Sequence, residues 1–486
     1  MGETSKTEPK APGFFEVFPS IMLPMFLAVI DQTIVAASLP AIASSIGGVE
    51  RVSWIVVSYL IATTVAAPVY GKLRDTIGGR TMMLVALSIF VGASIMCATA
   101  STMEALAFFR ILQGIGGGGL MTLSQALIGE TVPPRQRAKY QGYLAVVAVT
   151  SSTLGPIIGG LLTDSVGWRS VFLINLPVGL LAIALALRLP SQRGPGSTPA
   201  FDWKGLAYFV AFIVPFLLAV EQIQTSKVIA FVAAIALVGV SIGSLILLIR
   251  REQMATHPLF ELELLKRPAI WRSDALTACH GATLVSLVTF LPIYIHVHLG
   301  VGASRTGLLL LPLMFGIGLG SMITGRLVAR TGLTMIFPSF GLIATVLLIL
   351  LLSLLADRLG EIHLLVLLFF IGGSMGTVMG VVQVTVQTVA GSAALGAAAA
   401  LVQLSRSLGA SIGTAVVGAM LFATLSFSGA DVVQTFQAMV QSDVPTTPPR
   451  AALLDIMSAF RVAFFTIALF ASFGLALAWS HPQRRI

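Results

Sequence analysis

The sequence predicts an all-α membrane protein of fourteen transmembrane helices, arranged as two six-helix bundles with an inserted helix pair between them. Three observations point there. Of 486 residues, 56% are hydrophobic and 10% charged, against about 25% charged in soluble proteins, so this much apolar surface has no soluble core to fill. Apolar runs of membrane-crossing length, about 20 residues, alternate with short polar breaks; they lie near 18–42, 52–71, 81–100, 104–128, 140–162, 168–188, 205–225, 228–249, 274–298, 304–325, 334–355, 362–387, 397–424 and 458–480. Finally, the chain repeats itself. Gly71-Lys72-Leu73 with Gly78 has the spacing G-[KR]-L-x-x-x-x-G, and Gly325-Arg326-Leu327 with Gly332 copies it about 254 residues later. Leu39-Pro40 and Leu291-Pro292, and Gln125 and Gln383, recur at nearly that offset. Six spans and their loops need only about 190 residues at membrane-helix lengths, so the repeat is too long by one helical hairpin.

The expected organisation follows in chain order. A polar tail, 1–17, lacks the basic region, apolar core and cleavage site of a signal peptide, and Lys6 stands where myristoylation would want Ser or Thr. The N-terminal bundle covers 18–188, a linker 189–204, the inserted pair 205–250, and an amphipathic connection 251–273 expected to lie along the membrane surface. The C-terminal bundle covers 274–480, with a loop at about 426–455 that is either flexible or a small hairpin, and a short tail, 481–486. Lys72, Arg74, Arg80, Arg135, Arg137, Lys139, Arg250, Arg251, Arg326 and Arg330 fall on one side, against scattered Arg51, Arg169 and Arg305 on the other. This bias places both termini in the cytoplasm. The net charge of +9 is spread over these loops and forms no nucleic-acid-binding face. Cys97 and Cys279 lie inside apolar runs as packing groups, not a disulfide.

Chemistry concentrates in a few positions. Asp31 sits near the middle of the first span, where a carboxylate costs roughly 2.5–3.5 kcal/mol on insertion scales unless it faces a cavity or a partner. Arg110, in the fourth span, lies about 10 Å below the far surface and needs an acid, carbonyls or water; Gln113, Gly114 and further glycines follow it. The loop from Gly71 to Arg80 sets Asp75 among Lys72, Arg74 and Arg80, with Gly78 at a turn. In the fifth span Gly155 and Gly159 form a small-residue packing face, with Gly160 after it, and Pro156 removes a helix hydrogen bond.

Together these stretches resemble the major facilitator superfamily, and within it the fourteen-span drug:proton antiporter family. IDQTIVAASLP resembles the family's first-span motif, GKLRDTIGGR its loop motif, RILQG its fourth-span motif and GPIIGG its fifth-span antiporter motif. WRSVFLINLPVG, FDWKG and LPIY also match, so the resemblance covers nearly the whole chain. It departs at Thr76 and Gly79, where the family usually has basic residues, and Arg305 has no counterpart in its pattern.

The resemblance implies that Asp31 is the proton and substrate carboxylate and Arg110 its coupling partner, with Gln113 and Gly114 around it. Gly71, Asp75, Gly78 and Arg80 would form a cytoplasmic latch, and Gly155, Pro156, Gly159 and Gly160 the bend linking the bundles. Gln32, Trp54, Tyr59, Glu221, Phe290, Tyr294, Gln403 and Arg406 are candidate cavity residues, although lipid-facing, rim or packing roles explain each of them as well. His280 has no second histidine at ligand spacing, so no metal is expected. No cofactor is expected either, and there is no nucleotide-binding loop G-x-x-x-x-G-K-[ST]. The implied activity is export of amphipathic, cationic drugs in exchange for protons, across a cell membrane, by a monomer surrounded by lipid. Export of a specific metabolite, siderophore, amino acid or lipid in the same fold, and a non-transporting receptor or scaffold, remain alternatives. Burial favours the neutral acid at Asp31 and a nearby arginine favours the carboxylate, so separating the two would make the acid take up a proton.

Overall fold

The structure, a computed structural model, describes residues 14–47, 51–189, 201–223, 228–441 and 449–485. The expectations for the N-terminal tail before residue 14, linker residues 190–200 and loop residues 442–448 lie outside these. The N-terminal bundle comprises α1 (Phe14–Ile46), α2 (Ser53–Ile77), α3 (Gly79–Thr99), α4 (Met103–Thr131), α5 (Pro134–Ser165) and a broken helix, α6 (Ser170–Leu173) with α7 (Asn175–Ala186). The inserted pair is α8 (Trp203–Ile223) and α9 (Val228–Met254), followed by the short α10 (Leu262–Lys266). The C-terminal bundle comprises α11 (Pro268–Leu299), α12 (Ala303–Thr331), α13 (Ile336–Leu354), α14 (Glu361–Met375), α15 (Met379–Ala390), α16 (Leu395–Ser428), α17 (Ala430–Gln441) and α18 (Arg450–Trp479). Among the described residues thirteen helical segments are long and apolar enough to cross a membrane, and Ser170–Ala186 is a shorter fourteenth.

Local chemistry sets the helix ends. Thr102 accepts a hydrogen bond from the Ala105 amide to cap α4, and Pro134 and Pro268 open α5 and α11, where the proline's missing N–H is no loss. Gly332 ends α12 with φ +70°, a left-handed cap that disfavours a side chain.

Two connections take a definite course. The connection 251–273 is not a free-standing segment: α9 runs on to Met254, α11 starts at Pro268, and Leu259, Phe260 and Leu264 between them are buried against the protein. Phe260 packs edge-on against Phe209 of α8, 5.1 Å away, because these apolar side chains gain more from the protein core than from headgroups. The loop at 426–455 is also not a hairpin where it is described. Helix α17 buries Val432, Phe436 and Met439, spaced as one helical face, against the bundle.

The two bundles repeat one packing plan. Helix α1 packs on α5 as α11 packs on α16, α2 on α4 as α12 on α14, and α3 on α7 as α13 on α18. The small-residue seam repeats with them. A Cβ on Gly159 would meet the Ile34 carbonyl of α1 at 2.7 Å, and one on Gly413, again about 254 residues on, would meet Ala282 of α11 at 2.5 Å. Only glycine permits backbones this close.

The bundles meet through α2, α4 and α5 on one side and α12, α15 and α16 on the other. The contacts gather at the end where the chain begins and ends: Gly71 lies against Gly396 and Ala400, Gly129 against Leu395 and Gln387, Gly142 against Ser321, and the Gln387 amide donates to the Gln125 carbonyl at 2.8 Å. At the same end Thr334 donates its amide to the Arg484 carbonyl. The inserted pair stands beside this assembly. Its α8 touches α2 and α16, and Asp202 before α8 is clamped by Arg251 of α9, with 3.0 Å between the Arg251 Nε and Asp202 Oδ2.

Candidate functional site

Asp31 lies in the middle of α1, fully buried, and two helices, α4 and α7, supply its hydrogen-bond partners. The Arg110 guanidinium of α4 donates to Asp31 Oδ2 at 2.5 Å and to Gln113 Oε1 at 2.6 Å. Gln113 turns its amide nitrogen to Asp31 Oδ1 at 2.9 Å and to Ser94 Oγ of α3 at 2.8 Å. Asn175, the first residue of α7, adds a third donor to the carboxylate at 2.9 Å. The Arg110 Nε reaches the Ile55 carbonyl of α2 at 3.2 Å, and its Cζ lies 4.1 Å from the centre of the Tyr59 ring. Charge, hydrogen bonds and an aromatic face thus offset the burial of both ions.

The surrounding glycines make room for this network. Gly114 lets α4 approach the Tyr59 backbone, where a Cβ would come within 2.6 Å of a carbonyl, and Gly155 seats α5 on Thr33 and Ile34, one turn beyond Asp31. The face of α5 carrying Gly142, Val146 and Val149 meets α12 of the other bundle. One helix therefore touches both the neighbourhood of the acid and the opposite bundle. A side chain on Gly160 would meet nothing, and Pro156 sits within an unbroken α5.

At the closed end Asp75 spans the bundles. Its two oxygens accept the Gly396 and Ala397 amides at 2.9 and 3.0 Å, so a residue of α2 caps the first turn of α16. Those amides are among the unpaired donors that every helix start presents. Arg74 holds Asp75 at 2.6 Å and pairs with Glu130 of α4. Gly78 adopts φ +109° in the turn to α3. Arg80 does not join Asp75; it donates to the Leu189 carbonyl at 3.3 Å. At Gly79 a Cβ would come within 2.8 Å of Leu127 and 3.2 Å of Glu130.

The candidate cavity residues divide. Gln32 lies half-buried beside the Tyr59 hydroxyl. Trp54 lines a lateral apolar groove of about 790 Å³ between α2, α4 and α8, with Val65, Ile111 and Val214. Phe290 and Tyr294 are buried in the C-terminal core, where the Tyr294 hydroxyl bonds the Ala356 carbonyl at 2.8 Å and Phe460 and Phe464 pack edge-on against its ring. Gln403 and Arg406 are half-buried on α16, and Glu221 half-buried at the far end of α8; none of these three makes an ion pair or hydrogen bond among the described residues. Arg305 pairs with Glu361 at the start of α14, 2.7 Å away. Among the described residues no group of three potential metal ligands gathers. Sequence reading missed Asn175 and Ser94. A polar side chain in the apolar stretch FLINLPVG was the available signal for Asn175.

Solved structures share this fold. The human organic anion transporter MFSD10 (TETRAN) superposes with a TM-score of 0.66 over 97% of this chain and 100% of its own, at 15% identity. The proton:xylose symporter XylE does so at 0.65, over 97% and 96%, with 13% identity. In sequence, the Multidrug transporter protein MdtP of Bacillus subtilis is 34% identical over 321 residues, 64% of this chain and 58% of its own. The Multidrug resistance protein 3 of the same organism is 32% identical over 305 residues, 63% and 60%. The matches thus span about three fifths of these relatives' length. Residues 21–414 match the Major Facilitator Superfamily, and with two repeated bundles of apolar helices and an inserted pair among the described residues the chain belongs to that family as a multi-pass membrane protein.

Proposed function

We propose that the protein is a secondary active exporter that expels amphipathic cations in exchange for protons by alternating access. One observation carries the reading. A buried carboxylate in the first helix is balanced by a single arginine, and the turn of α1 just beyond the acid packs on α5, which also meets the facing bundle. The positive loops assign the closed end to the cytoplasm, so this state faces outward. A proton arriving at Asp31 from outside cancels its charge, releases a bound cation outward and frees Arg110 from its partner. Rocking of the bundles then breaks the Asp75 cap on α16 and opens the site inward, where a cytoplasmic cation displaces the proton. The names of MdtP and Multidrug resistance protein 3 support drugs or dyes as the substrate class. Arg406 favours a second reading. A half-buried guanidinium with no acid partner among the described residues suits a substrate that also carries a carboxylate, such as a zwitterionic metabolite.

The test is reconstitution in lipid vesicles, with efflux of a cationic dye followed under an imposed inward proton gradient and Asp31→Asn beside the parent. The parent should move dye only with the gradient, and the variant should lose that dependence. Equal coupling in both would refute the role of Asp31, transport driven by sodium alone would refute proton coupling, and preference for a zwitterion would select the second reading.

A further inference from the structure

The first bundle satisfies its buried acid with three donors; the second bundle leaves one with none. Asp274, on α11, is 5% exposed, and both of its carboxylate oxygens are buried without a hydrogen-bond partner among the described residues. It lies about 9 Å from the start of α11, counted at the helical rise of about 1.5 Å per residue, and so near the closed end of the molecule.

Its row on the helix is defined. Ala278 and Ala282, four and eight residues further on, are the two positions that Gly409 and Gly413 of α16 pack against. Positions four apart share a helix face, so Asp274 stands on the same face of α11 as the residues that meet α16. Titratable and charged groups at this end of the surrounding elements are Glu263 and Lys266 on α10, Arg267 just before α11, Arg272, Cys279 and His280 on α11 itself, Arg326 and Arg330 on α12, Arg406 on α16, and His481, Arg484 and Arg485 beyond α18; α15 offers none. None of them bonds to Asp274. Arg272 donates to the Ser480 carbonyl, His481 bonds the Ala269 carbonyl at 2.9 Å and Ser273 at 3.1 Å, and His280 leaves its Nδ1 unpartnered.

An ionised carboxylate held away from water, cations and donors is far too costly to persist, and such a group binds a proton instead. We infer that Asp274 is a second proton-binding carboxyl, separate from the Asp31 site, which keeps its proton while the cytoplasmic end is closed and releases it when that end opens. The release step follows from what closes the end. The first turns of α16, which Gly71 and Asp75 of the other bundle hold in place, belong to the helix that packs along this face of α11. Breaking that contact lets water reach the carboxyl, which ionises to carboxylate and hands its proton to the cytoplasmic water. The site takes a proton and no other ligand; the carboxylate refills from the cytoplasmic water before that end closes again, so it ties closure to the pH on that side and adds nothing to the protons carried across.

The experiment has two arms on the full-length protein. The infrared arm does not depend on transport. At neutral pH the parent should show a protonated-carboxyl C=O band that shifts in D2O, Asp274→Asn should lack it, and Asp274→Glu should keep it at a shifted position. A band that persists unchanged in Asp274→Asn, or the absence of any such band in the parent, overturns the inference. The transport arm rests on the proton-coupled reading above and counts protons per cationic dye molecule in vesicles. Asp274→Asn should move as many protons per dye as the parent but shift how its export rate depends on the pH at the cytoplasmic side, and a rate profile identical to the parent's counts against the proposal. Asp31→Asn serves as the separate control: if it stays coupled, the general reading fails while the infrared result at Asp274 stands or falls by itself.

Discussion

Asp31 and Arg110 are each other's condition for being buried. Removing one partner of a buried ion pair leaves an uncompensated charge and costs about 3–5 kcal/mol, whereas replacing both by apolar groups is often neutral. Arg110→Met alone should therefore lower the thermal unfolding midpoint in detergent sharply, and Asp31→Leu combined with Arg110→Met should recover most of it. Asn175→Ala removes one hydrogen bond to a charged group and should cost roughly 1.5–3 kcal/mol, measurable in the same assay. The pair was legible in the sequence because a charge in a membrane-length apolar run stands out on energetic grounds. Asn175 was not, since an uncharged amide disturbs the pattern little and its role depends on the break between α6 and α7, which no local residue pattern announces. Tyr294 went the other way: an aromatic ring fits a cavity wall or a core equally well in sequence, and only packing shows that it lies in the core.

Among elements, the repeated glycine seam makes a symmetric prediction. Gly155→Leu and Gly409→Leu push side chains into the backbones of α1 and α11 respectively, and overpacking of this kind costs typically 1–3 kcal/mol. Both should destabilise the protein, but only the first lies beside Asp31, so it should also disturb proton coupling in vesicles. The seam's first copy was readable from GPIIGG; the second, Leu408-Gly409 to Gly413, was present at the repeat offset but lacks the proline that drew attention to the first. The inserted pair responds to pH. Burial opposes the charge on Asp202, but the Arg251 guanidinium and the Gly205 amide outweigh it and hold the carboxyl below its ordinary value of 3.8. The native state then binds this proton less readily than the unfolded chain, so the clamp contributes its stability above about pH 4 and loses it as pH falls through the lower folded value. Hydrogen exchange at the start of α8 should accelerate there in the parent and should already be fast at neutral pH in Asp202→Asn. Helix existence was legible from hydropathy throughout. The course of 251–273 and the helix α17 were not, because short amphipathic segments read alike whether they cover protein or membrane.

For the whole molecule, the closed end rests on a cap made across the bundle interface. Asp75 supplies the acceptors for the first turn of α16, and a helix cap contributes about 0.5–2 kcal/mol. Asp75→Ala should therefore move the balance between end-closed and end-open states about 2- to 30-fold toward opening, at about 1.4 kcal/mol per tenfold. Spin labels on the loops after α2 and before α16 should then read longer distances. The two-bundle plan and the inserted pair were visible in the repeat and its excess length, whereas which end is closed is a property of one conformation and leaves no mark on residue pattern.

The central claim is that a cation and a proton compete for Asp31. The most direct measurement is proton release when a cationic dye binds to the purified protein in weakly buffered detergent solution, repeated over a series of pH values. The account predicts that protons appear in solution as dye saturates the site, that dye affinity weakens as pH falls, and that Asp31→Asn releases none. Dye binding without proton release, or the same release from Asp31→Asn, would contradict it.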